Sequence, residues 1–301
     1  YANEEDPLSS GGSGLEQGDH DMSGTDTGKK QNLQVMAGIN KQTMDIYDAR
    51  PIVDYLSSNT SKVMDDHGFC VAHVQTKMEE TLDNLFQPGE VEIRKTYWPE
   101  IAKVAQDAIK MDGRSAKYSF CLGTQKFCED KSKGAFKGYY SRTAHADFAP
   151  VVFDNAWKML VKRGVPEDEA KRMDIMFVNA WKPFGRIVYD NPLTILDWQS
   201  VNPTKDCHGL QRGSPIKKMS IYNTTVTYSP SHRWVYLSDM RPDEVWLFKQ
   251  VDSRGRRSGV SEHGFHTSFR MPNHDTNKNR TRRSIAVRVL LAFEPGVKSS
   301  L

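Results

Sequence analysis

Apolar positions along the chain switch from a helical spacing early on to short stretches of strand later. Residues 1–33 follow neither pattern. They are rich in Gly, Ser, Asp and Glu, include Gly11-Gly12-Ser13-Gly14, and carry too little apolar surface to fold alone, so a flexible polar tail is expected. The globular pattern begins at residue 34. Residues 44–51 read as a short strand running into a turn, and residues 67–74 as a strand that begins after Gly68. Trp98-Pro99-Glu100 opens a helix with proline in its first turn; Ile101, Val104, Ala105, Ala108 and Ile109 then recur at helical spacing before Gly113. Residues 118–123 read as a strand, and the charged, glycine-containing residues 126–137 as a mobile loop.

The second half alternates differently. Residues 151–161 place Phe153, Trp157, Leu160 and Val161 on one helical stripe, and residues 167–173 add a short turn. Strands are expected at residues 175–181 (ended by Lys182-Pro183), 193–197, 220–228, 234–237, 244–251 and 284–293. Many short strands after a few helices predict a mainly β fold, a sandwich or jelly roll with helices packed outside, built by residues 34–301 as one domain.

Composition narrows the function classes. The chain has 301 residues, 38% of them hydrophobic, and a net charge of only +3, so nothing calls for a nucleic-acid partner. No run of about 18 apolar residues predicts a membrane span. Cys70, Cys121, Cys128 and Cys207 form no CxxC pair, which suggests reduced thiols in a cytoplasmic protein; Cys121 and Cys128 are the pair considered for a disulfide. The first residue is Tyr1 rather than Met, which leaves room for a removed targeting peptide.

Two stretches carry chemistry. In Thr143-Ala144-His145-Ala146-Asp147-Phe148, an extended backbone would turn His145 and Asp147 to the same face, offering one nitrogen and one oxygen to a single metal ion. HxD alone is a weak signal that a surface salt bridge would also produce. His266, at the start of a late strand between Phe265 and Thr267-Ser268-Phe269, is the favoured third ligand. His263 competes with it but follows Ser261-Glu262 and reads as more exposed; His67, His73, His208, His232 and His274 are assigned packing or surface roles, and His20 lies in the tail. Two histidines and a carboxylate with open positions suit non-haem Fe(II), although Zn(II) takes the same donors. In the second stretch, residues 281–288, alternation puts Arg282, Ser284, Ala286 and Arg288 on one face. Guanidinium groups beside a hydroxyl can grip the far carboxylate of 2-oxoglutarate.

An ordered set of short matches then resembles the iron/2-oxoglutarate oxygenases that include the cephem methoxylase accessory chain, gibberellin-desaturase-like proteins and fungal natural-product oxygenases. The matches are His67-Gly68-Phe69, Tyr97-Trp98-Pro99-Glu100, the segment around His145 and Asp147, Asn179-Ala180-Trp181-Lys182-Pro183, and Asn191-Pro192-Leu193 to Asp197. They continue with His232-Arg233-Trp234, Met240-Arg241-Pro242-Asp243-Glu244-Val245, His266-Thr267-Ser268-Phe269 and Arg282-Arg283-Ser284-Ile285-Ala286-Val287-Arg288, and so span residues 44–293. The resemblance implies a double-stranded β-helix (jelly-roll, cupin-like), Fe(II), 2-oxoglutarate and O2, with His145, Asp147 and His266 as ligands and Arg282 with Ser284 at the cosubstrate. Departures are Lys182 where the family has Arg, Ala286 where it has Glu, Arg283 where it is acidic and Thr281 where it has Pro; those at Ala286 and Arg283 shift the local charge towards positive.

The expected activity is oxidation of an unactivated C–H bond in a small metabolite of secondary metabolism, by hydroxylation, desaturation or oxidative cyclisation. Asn179 and Trp181 share a face and are placed in the cosubstrate pocket with Arg288. Lys182 and Arg186, with Lys126, Lys137, Arg283 and Arg288 as further basic residues, point to a substrate carboxylate, for example on an amino-acid derivative. A homodimer is compatible with this reading. The competing readings are a non-catalytic jelly-roll partner subunit or binding protein and, last, a zinc hydrolase.

Overall fold

The computed structural model describes residues 42–128, 141–213, 220–255, 259–271 and 282–296. The expected tail, residues 129–137 of the expected loop, and His20 and His274 lie outside them. In chain order the strands are β1 (Ile46–Asp48), β2 (Phe69–His73), β3 (Lys110–Met111), β4 (Arg114–Ser115), β5 (Tyr118–Cys128), β6 (His145–Ala146) and β7 (Asp174–Pro183). They continue with β8 (Leu193–Leu196), β9 (Cys207–Gly213), β10 (Ser220–Val226), β11 (Trp234–Tyr236), β12 (Glu244–Asp252), β13 (His266–Ser268) and β14 (Arg283–Phe293).

Two sheets face each other. One has the order β2-β12-β7-β14-β5, the other β1-β11-β8-β13-β6-β10-β9, and β3 pairs with β4 as a separate hairpin. This is the expected jelly roll, a double-stranded β-helix. β12 and the far half of β14 read as nearly unbroken apolar runs because both of their faces are covered. On one side lie the helices Thr60–His67 and Trp98–Ala108, whose Val63, Met64, Ile101 and Ala105 are fully buried. Each of the larger of these side chains contributes about 1.5–3 kcal/mol by leaving water. Trp98 Nε1 donates to Thr124 Oγ1 and Ser119 Oγ to Ala102 O, both at 2.8 Å, which fixes the second helix on β5. The opposite face meets the other sheet, where Phe148 packs on Phe177 with centroids 4.9 Å apart.

The strand boundaries depart from expectation where pairing overrides local composition. β5 runs on through Lys126 to Cys128 instead of giving way to a loop, because β14 continues beside it and Lys126 Nζ finds Glu90 at 2.7 Å. Cys121 and Cys128 therefore sit on one extended strand, about 23 Å apart at 3.3 Å per residue, too far to pair. All four cysteines are free. β7 extends through Lys182 and Pro183, which pair with Ile285 and Ser284. β9 was not foreseen; polar Cys207-His208-Gly209 hides its pairing with β10.

One close approach needs glycine on both sides. Gly68 ends the helix Thr60–His67 in the left-handed region at φ 86°. A Cβ there would stand 2.6 Å from His263 O, and a Cβ on Gly264 would stand 2.7 Å from Gly68 O. The chain ahead of β13 thus lies against the β2–β12 backbone, where Gly264 N donates to Lys249 O at 2.6 Å.

Candidate metal centre

β6 and β13 are antiparallel neighbours, and their register sets His145 directly opposite His266. Cross-strand partners project to the same face, so two imidazoles distant in sequence meet with ring centroids 4.5 Å apart. Asp147, two residues beyond His145, turns to that face as its spacing predicts. The three residues each offer a ligand atom, and these atoms lie within 4.8 Å of one another.

Neighbouring groups orient each of the three. His145 Nδ1 lies 2.8 Å from Thr143 O and His266 Nδ1 3.3 Å from Gly264 O. An Nδ1–H donated to a carbonyl leaves the Nε2 lone pair to face a metal. Asp147 is held from three adjacent strands of the facing sheet. Asn179 Nδ2 on β7 and Arg288 Nε on β14 donate to Oδ2 at 2.9 and 3.0 Å, and Gln250 Oε1 on β12 accepts the Asp147 backbone N–H at 2.6 Å. Oδ1 is left on the imidazole side, 3.3 Å from His145 Nε2. The carboxylate therefore offers one oxygen to a metal while the other is pinned.

The electrostatics match a cation site. Burial alone would raise the Asp147 pKa, but the Arg288 charge, the His145 hydrogen bond and the two imidazoles hold it well below the usual carboxylate range. Burial, with His145 acting in the same direction, pushes His266 down to about 3, so its ring is neutral and able to ligate at ordinary pH. Among the described residues, Asn179 Oδ1 and Gln250 Nε2 are buried against Asp147 without a hydrogen-bond partner. Polar atoms left over beside a two-nitrogen, one-oxygen donor set fit a centre that holds an ion with further ligands.

The other anticipated residues divide by sheet face. Arg282, Ser284 and Arg288 are buried on the face turned to the triad, with Arg282 and Ser284 about 13–20 Å further along the strand from Arg288. Arg282 Nε donates to Ser284 Oγ and its Nη1 to Asn191 O, both at 2.9 Å. Its guanidinium lies between the rings of Trp181 and Phe127, at 5.0 and 5.1 Å. Asn179 thus lies on Asp147 and Trp181 on Arg282, both on the inward face of β7.

Lys182 does not join them. It points to the opposite face of β7, is fully buried, and ion-pairs with Glu80 beside the rings of Tyr97 and Phe184. Arg186 follows Gly185, whose N–H donates to Glu80 on that same side. A role for Lys182 at a substrate beside the triad is therefore corrected: the alternation that turns Asn179 and Trp181 inward turns Lys182 away. His263, expected to be more exposed than His266, is 1% exposed, with Nδ1 2.5 Å from Gln250 O, and takes no place in the triad. Sequence reasoning missed Gln250, Phe127 and the Gly68–Gly264 contact; a Lys-Gln pair inside the apolar run of β12 was the available signal.

Comparison with known proteins agrees with this geometry. A family profile described as Oxidoreductase/YMDC permease-like domain matches residues 16–292. The alpha-ketoglutarate-dependent dioxygenase phiK of Fungal sp. (strain ATCC 74256) is 29% identical over 238 residues, covering 76% of this chain and 79% of the relative. The Fe(II)/2-oxoglutarate-dependent dioxygenase nvfI of Aspergillus novofumigatus is 26% identical over 219 residues, 72% of each chain. A solved structure of the iron and alpha-ketoglutarate-dependent endoperoxidase NvfI superposes with a TM-score of 0.65 at 26% identity, covering 83% of both chains.

Proposed function

The chain belongs to the Oxidoreductase/YMDC permease-like family, and from that premise we propose that it is a non-haem iron, 2-oxoglutarate-dependent dioxygenase of secondary metabolism. The observation that carries this reading is the convergence of His145, Asp147 and His266 within 4.8 Å on one face of a jelly roll. Residues 34–301 are the proposed catalytic unit, a reading supported by the two sheets that strands between Ile46 and Phe293 build around the site. The free cysteines suit a reducing cytoplasm. Among the described residues no helix is long and apolar enough to cross a membrane.

His145, Asp147 and His266 would hold the metal, and a set of only three protein donors would leave room for the cosubstrate and O2. Arg282 and Ser284 take the far carboxylate of 2-oxoglutarate. When bound, iron(II) with 2-oxoglutarate and O2 supplies oxidation of an unactivated C–H bond, with release of succinate and CO2. Trp181 and Phe127 hold the Arg282 guanidinium in place. Asn179 and Arg288 keep Asp147 ionised and fix which of its oxygens faces the metal. The substrate is a small molecule, and the product is a hydroxylated, desaturated or cyclised derivative. A non-catalytic subunit would not need this complete donor set with each member oriented.

The test is succinate release from 2-oxoglutarate under Fe(II) and air, with a panel of small carboxylic acids and amino-acid derivatives. Wild-type protein is expected to release succinate, and Asp147→Ala to release none while binding little Fe(II). An Asp147→Ala variant that turns over like wild type refutes the assignment.

A further inference from the structure

Arg288 uses only one nitrogen on Asp147. Its Nε makes the 3.0 Å contact, the residue is 8% exposed, and neither terminal nitrogen has a hydrogen-bond partner among the described residues. The Phe148 ring lies 5.8 Å from the guanidinium carbon, which restricts its tilt. A guanidinium carries five N–H groups in a planar fork that matches a carboxylate with two of them. With Nε spent on Asp147, the paired terminal N–H groups remain, next to the carboxylate that would bind the metal. These nitrogens are not among the fully buried side-chain atoms that lack a partner, so they face space that a ligand can enter.

We infer that the terminal nitrogens of Arg288 form a carboxylate-binding subsite beside the metal position, separate from the Arg282–Ser284 grip. The inference rests on His145, Asp147 and His266 being iron ligands. The carboxylate is that of the organic substrate or the keto-acid end of 2-oxoglutarate, and the probes below distinguish the two. This makes the enzyme selective for acids over their neutral analogues.

Calorimetry on the Mn(II)-loaded protein tests this with three probes: 2-oxoglutarate, then hexanoate and hexanamide added to the Mn(II)–2-oxoglutarate complex. Wild type is expected to bind hexanoate about tenfold or more tighter than hexanamide, and Arg288→Gln to lose that preference. A loss of 2-oxoglutarate affinity by about tenfold in Arg288→Gln, with hexanoate competing against 2-oxoglutarate, instead assigns the subsite to the cosubstrate. Asn179→Ala loosens the same Asp147 oxygen without touching Arg288, so it weakens Mn(II) binding and leaves the acid preference intact. If Arg288→Gln fails to hold Mn(II), Arg288→Lys keeps a positive charge beside Asp147 but lacks the fork, and is expected to lose most of the preference. Unchanged 2-oxoglutarate and hexanoate affinities in Arg288→Gln, or a wild-type preference in Arg288→Lys, overturn the subsite. Wild-type protein that takes up no Mn(II) overturns the metal reading instead, and the hexanoate comparison on metal-free protein then still reports on Arg288.

Discussion

Replacing Gly264 by alanine tests whether the contact between two loops sets the distal ligand. The added Cβ would stand 2.7 Å from Gly68 O, 3.2 Å from Lys249 O and 3.2 Å from the Phe248 Cβ. Two of these three are main-chain oxygens, and Gly68 and Lys249 are themselves joined by the 2.8 Å bond from Lys249 N to Gly68 O. No side chain can swing aside, so the segment before β13 must move outward. Forcing one methyl group into a closed contact of this kind costs about 1–3 kcal/mol. For a domain of this size, about 2 kcal/mol lowers Tm by about 4–8 °C. The displacement also reaches the metal site, because His266 Nδ1 rests on Gly264 O at 3.3 Å and the His266 backbone is paired with His145. A loosened support of a ligating histidine typically lowers metal affinity about 10- to 100-fold. Differential scanning calorimetry of metal-free protein and Co(II) titration of the folded variant measure the two effects separately. Gly264→Ala with wild-type Tm and wild-type Co(II) affinity would refute the claim that this backbone approach positions His266.

Three further outcomes follow from separate parts of the site. Trp181→Ala removes one of the two rings against Arg282; a cation–π contact of about 0.5–2 kcal/mol predicts a 2- to 30-fold weaker 2-oxoglutarate affinity with Co(II) affinity unchanged, checked by titration of the metal-loaded protein. Lys182 is fully buried, and its pKa is lowered by burial against the opposing pull of Glu80; Glu80→Ala strands that ammonium and should cost about 3–5 kcal/mol in urea unfolding, whereas the double replacement Glu80→Leu with Lys182→Met should be near neutral. The His266 pKa of about 3 lies below the ordinary histidine value of 6.5, so the unfolded chain takes up a proton that the folded one refuses. That contribution to stability is complete above about pH 6.5 and shrinks as pH falls from there towards about 3, by up to about 1.4 kcal/mol per pH unit, so the pH 7 to pH 5 drop in metal-free unfolding free energy should be smaller in His266→Gln.

The His145–Asp147 pair was legible because its information is local: the two residues stand two apart on an extended segment. The Arg282–Ser284 pair was legible for the same reason. Lys182 misled because residue type alone does not say which face of β7 is inward, and adjacent positions on a strand have opposite fates. The face is decided by Asn179 meeting Asp147 and by Glu80 supplying a counter-charge from a loop 102 residues away in sequence. No local pattern encodes that pairing. His263 and His266 differ for a related reason. Both are deeply buried, so hydrophobic context could not separate them; what separates them is that only His266 lies in register with β6. Arg288 shows the converse case. Alternation placed it on the correct face, but only the folded sheet shows that its Nε reaches the ligand carboxylate while its terminal nitrogens stay uncommitted. Two of the three candidate ligands sit in one short motif, whereas the residues that orient Asp147 come from three strands of the opposite sheet. Arg288 belongs to both groups if its fork takes a substrate acid, which is why its substitution should change ligand preference and not metal affinity alone.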